Sequence, residues 1–369
     1  MFLWLSNTFR GEFGALNVFR YVTFRSIGAA VTALVIALVL YPRFIKLLQV
    51  KQIGQVVRDD GPEAHLSKRG TPTMGGVLLL LAMLLAVGLW TDLSNVFVWL
   101  TCAITALYGV VGFVDDWLKI RDKNSKGVSE RQKLVTQFGG ALLVFGAMYF
   151  GLLGKDLADT HLYLPFASTH HFAIDIGPFL YIPFAALVVF ATSTTVNFTD
   201  GQDGLVSVPA AVSATTFGVL CYLTGAKFGN FEVAKYLLIP EVKGVQELAV
   251  VCSALVGATL AFLWYNAYPA LVFMGDVGAL ALGGALGMVA VLSKNELLSL
   301  VVNGVFVAEG ASVVLQRYYY RRTKKRLFRM APLHHHYQKA NMPESRITVR
   351  FWLVSVMLSL VALASLKLR

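Results

Sequence analysis

Charge is scarce in this 369-residue chain: 14% of its residues are Asp, Glu, Lys or Arg, against about 25% in a soluble globular domain. That shortage, beside a hydrophobic share of 56%, excludes an ordinary soluble fold and a disordered one. Cysteine is scarce as well. Cys102, Cys221 and Cys252 all sit in apolar runs, and an odd number so placed gives neither a disulfide framework nor metal-ligand spacing. No cleavable signal peptide is evident, because Arg10, Glu12, Arg20 and Arg25 interrupt the N-terminal stretch and leave no clean apolar core. A long linker, a low-complexity tract, a soluble domain and a visible internal repeat are all missing. The chain therefore reads as one membrane-embedded domain over residues 1–369.

What is present is a series of hydrophobic segments of the length a spanning helix needs, about 20 residues. They cover approximately 26–45, 74–90, 96–114, 134–153, 178–196, 205–223, 245–263, 271–292, 297–315 and 347–366. The expected class is an all-α polytopic integral membrane protein with about ten transmembrane helices. Glycines punctuate the segments. Gly283 and Gly287 have the GxxxG spacing, and the pairs Gly75–Gly76 and Gly139–Gly140 would let helices approach closely.

Orientation follows from the basic residues. Most of the 32 Lys and Arg lie in the loops joining segments 1–2, 3–4 and 9–10. The positive-inside rule places that side in the cytoplasm and both termini outside. The net charge of +11 is then mainly topology, with attraction for anionic lipid or a phosphorylated substrate as a second reading. No nucleic-acid partner is implied.

The unusual polar motifs collect on that same side: HLSKRGTPTMGG (65–76), VDDWLKIRDKNSKG (114–127), VNFTDGQDGL (196–205), WYNAYPALVFMGDVGAL (264–280) and RMAPLHHHYQ (329–338). Each has an ordinary reading. Asp276 could cap a helix, TDGQDG is good turn chemistry, and a His run in a loop can be a solvated tract. The outer loops, such as 154–173, offer nothing comparable. Together, however, Asp115, Asp116, Asp200, Asp203 and Asp276 bring up to five carboxylates to one membrane face. Such a group repels itself unless a cation joins it. Hard oxygen ligands suit Mg²⁺, which is usually held by one or two carboxylates plus substrate phosphates. Lys68, Arg69, Lys119, Lys123, Lys126 and Lys133 suit a polyanion, and the set matches what phosphoryl transfer requires. Glu309, inside the ninth segment, is either functional or paired with an Arg or Lys of the following loop.

These motifs, in this order, resemble the bacterial phospho-N-acetylmuramoyl-pentapeptide transferase family, over nearly the whole chain. The wider superfamily of polyprenyl-phosphate N-acetylhexosamine-1-phosphate transferases shares the paired aspartates, while PLHHHY and GTPTMGG point to the muramoyl-pentapeptide branch. The resemblance implies transfer of phospho-N-acetylmuramoyl-pentapeptide from its UDP derivative to undecaprenyl phosphate, with Mg²⁺, in the bacterial cytoplasmic membrane. The products would be lipid I and UMP. It implies that Asp276, Asp115 and Asp116 serve metal and catalysis, with His335 among the catalytic residues. Lys68, Thr73, Asn197, Asp200, Gly201, Asp203, Asn266, His334 and His336 would line the substrate, and Phe273 would stack on uracil. The membrane lipid itself is a partner, and a homodimer is one possible assembly. Phe198 and Gln202 depart from the family's usual NLTDGLDGL. A sister transferase using UDP-N-acetylglucosamine is the nearest rival. A secondary transporter of an anionic solute is a rival from another class, but its site would sit near the midplane between repeats.

Overall fold

The computed structural model describes residues 1–9, 14–51, 70–123, 126–152, 159–167, 173–229 and 231–367. Lys68 and Arg69 lie outside the described residues. The helices, in chain order, are α1 (Phe2–Phe9), α2 (Val22–Val50), α3 (Gly76–Trp90), α4 (Val96–Arg121), α5 (Glu130–Tyr149), α6 (Gly177–Thr199), α7 (Ser207–Gly225), α8 (Val233–Leu237), α9 (Glu247–Asn266), α10 (Gly275–Leu292), α11 (Ser299–Val302), α12 (Gly304–Thr323), α13 (Leu333–Gln338) and α14 (Glu344–Ala364). Two short hairpins, pairing His161–Tyr163 with Ala173–Asp175 and Lys227–Phe228 with Phe231–Glu232, decorate one end.

Every one of the ten apolar segments contains helix. Among the described residues, seven helices (α2, α4, α6, α7, α9, α10 and α14) are long and apolar enough to cross a membrane. The count of ten is not reached on those criteria, for physical reasons. Helix α3 is short, α5 opens with Glu130, Arg131 and Lys133, and α12 ends in Arg317, Arg321 and Arg322. The ninth segment is also not continuous. It breaks at Asn303 between α11 and α12, and α12 runs on past the apolar stretch to Thr323.

Helix α10 is the axis of the bundle. All its residues from Val277 to Leu292 are buried, and it packs against α3, α4, α6 and α7. Small residues make that enclosure possible. A β-carbon on Gly283 would come within 2.5 Å of the Ser193 α-carbon, and one on Gly287 within 2.8 Å of that of Val189. The GxxxG pair is therefore the seat of α6 on α10, as close backbone contact between membrane helices requires. Gly76 meets the Gly278 backbone in the same way, at 2.3 Å. Gly140 faces Leu107, whereas Gly139 faces open space, so only one glycine of that pair acts in packing.

Candidate active site

Three carboxylates converge at one end of α4 and α10. Asp115 and Asp116 lie within α4, because the helix continues beyond the apolar stretch to Arg121. Asp276 lies in the first turn of α10. Each offers an oxygen within 4.8 Å of the others. Two glycines bring the helices this close. A β-carbon on Gly112 would strike the Asp276 carbonyl oxygen at 2.3 Å, and one on Gly275 would strike Asp116 Oδ2 at 2.5 Å. Gly275 also has φ +76°, a conformation that costs glycine little and other residues more.

Two lysines lie among the carboxylates. Lys119, one turn after Asp115 on α4, places its Nζ 2.5 Å from Asp115 Oδ2, 3.1 Å from Asp276 Oδ2 and 4.0 Å from Asp116 Oδ1. Lys133 reaches Asp115 Oδ2 at 2.9 Å and Asp276 Oδ2 at 2.8 Å. A capping box between Ser129 and Gln132 starts α5 and sets Lys133 in its first turn. The other oxygens are also engaged. Val128 N–H donates to Asp115 Oδ1 at 2.7 Å, Val277 N–H to Asp116 Oδ2 at 3.2 Å, and Asn197 Nδ2 to Asp276 Oδ1 at 3.0 Å. Asp276 therefore caps nothing with its side chain; it is the meeting point of α4, α5, α6 and α10.

The remaining sequence candidates divide by position. Asp200 follows the end of α6. Burial, then the negative charges of Asp276 and Asp116, push its carboxyl up to about 8. Thr73 is buried beside Gly275. Phe273 is half-buried, and its main chain bonds to Pro72 and Gly75. Asp203 and Asn266 brace loops. Asp203 Oδ2 accepts from Ala270 N–H at 3.0 Å, and the Asn266 amide bridges Gly204 N–H and the Val272 carbonyl.

The three histidines, in the short helix α13, do not point one way. His334 is fully buried against Glu309, His335 Nδ1 meets Gln338 Oε1 at 2.9 Å, and His336 Nδ1 accepts from Arg329 N–H at 3.1 Å. Glu309 thus pairs with a histidine rather than with an Arg or Lys of the next loop.

A second polar group lies at the other end of α10, away from every polar motif singled out in the chain. Lys294, 6% exposed, donates to Tyr181 Oη and the Asp159 carbonyl, both at 2.9 Å, and lies 3.4 Å from Glu296. Burial pushes the Lys294 ammonium down and the Glu296 carboxyl up. A cavity of about 640 Å³ opens there, between Phe97, Phe145, Tyr181, Leu292 and Lys294. It lies far from the three aspartates, and its buried charges bond to one another, which fits a structural brace. Two charges breaking the apolar run in LSKNEL were the only signal for it.

Hard oxygen donors this close fit a divalent cation such as Mg²⁺, with Asp115, Asp116 and Asp276 to hold it. The two lysines place positive charge beside these carboxylates, as a phosphorylated ligand would require.

Comparison with known proteins bears on the same residues. The model of Glycosyl transferase family 4 matches residues 97–294, a span that contains all three carboxylates and both lysines. The phospho-N-acetylmuramoyl-pentapeptide-transferase signature 1 matches residues 68–80. Phospho-N-acetylmuramoyl-pentapeptide-transferase of Sorangium cellulosum (strain So ce56) is 51% identical over 96% of this chain and 95% of its own. The proteins of that name from Anaeromyxobacter sp. (strain Fw109-5) and Citrifermentans bemidjiense are each 51% identical over 97% of both chains. A multi-pass helical bundle, an aspartate–lysine centre inside the matched span, and relatives similar from end to end lead to one conclusion: the chain belongs to the phospho-N-acetylmuramoyl-pentapeptide-transferase family.

Proposed function

We propose that this enzyme transfers phospho-N-acetylmuramoyl-pentapeptide from its UDP derivative to undecaprenyl phosphate, releasing UMP and forming lipid I in the bacterial cytoplasmic membrane. The observation that carries the reading is the aspartate–lysine centre at the end of α4 and α10, in a chain similar over its length to transferases of that name. A polyprenyl phosphate keeps its tail in lipid and its head at the interface. Groups that receive that head must stand where apolar helices emerge, and Asp115 and Asp116 stand near such an end. The whole chain acts as one transferase domain with ten crossings, its termini outside and the aspartates facing the cytoplasm.

Mg²⁺, held by Asp115, Asp116 and Asp276, would neutralise phosphate charge. Lys119 and Lys133 bind phosphate oxygens and keep the carboxylates in place. Thr73, Asn197, Asp200, Gly201 and Phe273 border the nucleotide sugar, with the His334–His336 helix closing the far side; the family resemblance assigns Lys68 to the same ligand. The family implies His335 as a further catalytic group. Asp203 and Asn266 serve by holding the loops.

Direct attack by the lipid phosphate is favoured over a covalent enzyme intermediate. Asp115 has no exposed surface; Oδ1 is taken by Val128 N–H and Oδ2 by two ammonium groups. A carboxylate so engaged is a poor nucleophile and a good anchor. A phosphate monoester has a second pKa of about 6, so most of the acceptor is a dianion at pH 7 and needs little help from a general base. Phosphoryl transfer then depends on alignment and charge stabilisation.

The test is UMP release by purified enzyme with undecaprenyl phosphate and Mg²⁺, run with UDP-N-acetylmuramoyl-pentapeptide and with UDP-N-acetylglucosamine. Turnover with the first and not the second is expected; the reverse would make this the sister transferase. A burst of UMP matching enzyme concentration without lipid acceptor, with labelled sugar-peptide retained on denatured protein, would reject direct attack.

A further inference from the structure

Glu309 sits in the second turn of α12 with no exposed surface. Its two oxygens go to one residue. Oε1 accepts from the His334 backbone N–H at 3.1 Å, and Oε2 lies 3.1 Å from His334 Nδ1. One carboxylate thereby fixes both the main chain of α13 and the rotation of its first imidazole. His334 is itself fully buried.

The pairing decides what the other ring nitrogen can do. With Nδ1 held by the carboxylate, Nε2 is the atom the ring presents forward. Nε2 is buried and has no hydrogen-bond partner among the described residues. It points at Gly201: a β-carbon there would come within 2.3 Å of Nε2. Gly201 follows Asp200, the acid that feels the charges of Asp276 and Asp116. The ring therefore lies against the backbone of the loop that carries Asp200. This contact needs glycine on one side and a fixed imidazole on the other.

We propose that Glu309 is a positioning residue: acting through the His334 ring, it sets the Asp200–Gly204 loop against the carboxylate centre, and so sets the grip on the nucleotide sugar. The proposal rests on the reading above that this loop borders the nucleotide. A carboxylate that merely neutralised charge inside the bundle would affect stability alone. A positioning carboxylate affects substrate binding, and only while His334 is present.

A double-mutant cycle separates the two. Glu309→Gln keeps an acceptor for the His334 N–H while removing the charge, and His334→Asn keeps a donor towards Glu309 while removing Nε2. For Glu309→Gln, the expected result is a rise of about tenfold in KM for UDP-N-acetylmuramoyl-pentapeptide with a smaller change in kcat. Added to His334→Asn, the same substitution should change KM by less than about twofold, because coupled residues are not additive. Gly201→Ala pushes the ring from the opposite side without touching Glu309. It should reproduce the KM defect, and it carries the test if Glu309→Gln fails to fold. Multiplicative effects in the cycle, or an unchanged KM in folded Glu309→Gln or Gly201→Ala, would overturn the proposal. Should wild-type enzyme turn over only UDP-N-acetylglucosamine, the substrate reading fails separately, and the cycle is read with that nucleotide sugar.

Discussion

Gly112 of α4 rests on the backbone of Asp276 of α10, so closely that a β-carbon there would lie 2.3 Å from the Asp276 carbonyl oxygen. One turn further along α4 come Asp115 and Asp116. The spacing of the three carboxylates is therefore set by a residue with no side chain. Gly112→Ala must push α4 from α10 or distort both. The expected cost is about 1–3 kcal/mol of stability, as for other overpacked interiors. Turnover should fall further, by about a hundredfold, as small misplacements of reacting groups do. Thermal unfolding in detergent and UMP release, measured on the same preparation, compare the two effects; unchanged turnover would show that the close approach does not govern the site.

Asp276 is contacted from three other helices, through Lys119, Lys133 and Asn197. Asp276→Asn keeps its shape and can still bond to Asn197, so the protein should remain folded. Nearly all turnover should disappear, and extra Mg²⁺ should not restore it. Chelation should likewise abolish turnover of the wild-type enzyme until Mg²⁺ is returned. Ordinary activity of the variant at ordinary Mg²⁺ would reduce Asp276 to a structural residue.

Gln202 stands in the Asp200–Gly204 loop where the family's usual pattern has Leu. Its side chain is buried, and neither its Oε1 nor its Nε2 has a hydrogen-bond partner among the described residues. An unsatisfied buried amide costs about 1–3 kcal/mol. Gln202→Leu should therefore raise the midpoint of thermal unfolding. If the midpoint is unchanged while KM for the nucleotide sugar rises, the amide serves the substrate instead.

Topology is open to a direct check. Cysteines placed at Lys123 and Lys325 should react with an impermeant reagent only from the cytoplasmic side, and cysteines near either terminus only from outside. An N-terminus labelled from the cytoplasm would reverse the orientation of the aspartates.

Much of this architecture was readable in the residues. Apolar runs of spanning length mark the helices, and GxxxG at Gly283 and Gly287 marks the α6–α10 contact. The three aspartates stand out because charge is rare in such surroundings. Other features leave no one-dimensional trace. That Lys133 reaches Asp276 depends on where the Ser129 capping box starts α5. That Glu309 meets His334, and not an Arg of the following loop, depends on how α13 folds back onto α12. The charges in LSKNEL are visible in the chain, but that Lys294 and Glu296 meet Tyr181 of α6, more than a hundred residues away, is not. The divergence of the three histidines follows from helical rotation in α13; the run HHHY alone suggests a shared direction.

The burial of α10 from Val277 to Leu292 has a consequence for biogenesis. A helix with no face turned to lipid gains its surroundings only when its neighbours arrive, and α6 and α7 precede it in the chain just as α3 and α4 do. Asp276 acquires Lys119, Lys133 and Asn197 in that same event. A chain in which α10 has not yet met α4 therefore lacks the three-carboxylate centre, however much of it has entered the membrane. The carboxylate centre is thus a product of helix assembly and not of the insertion of any one helix.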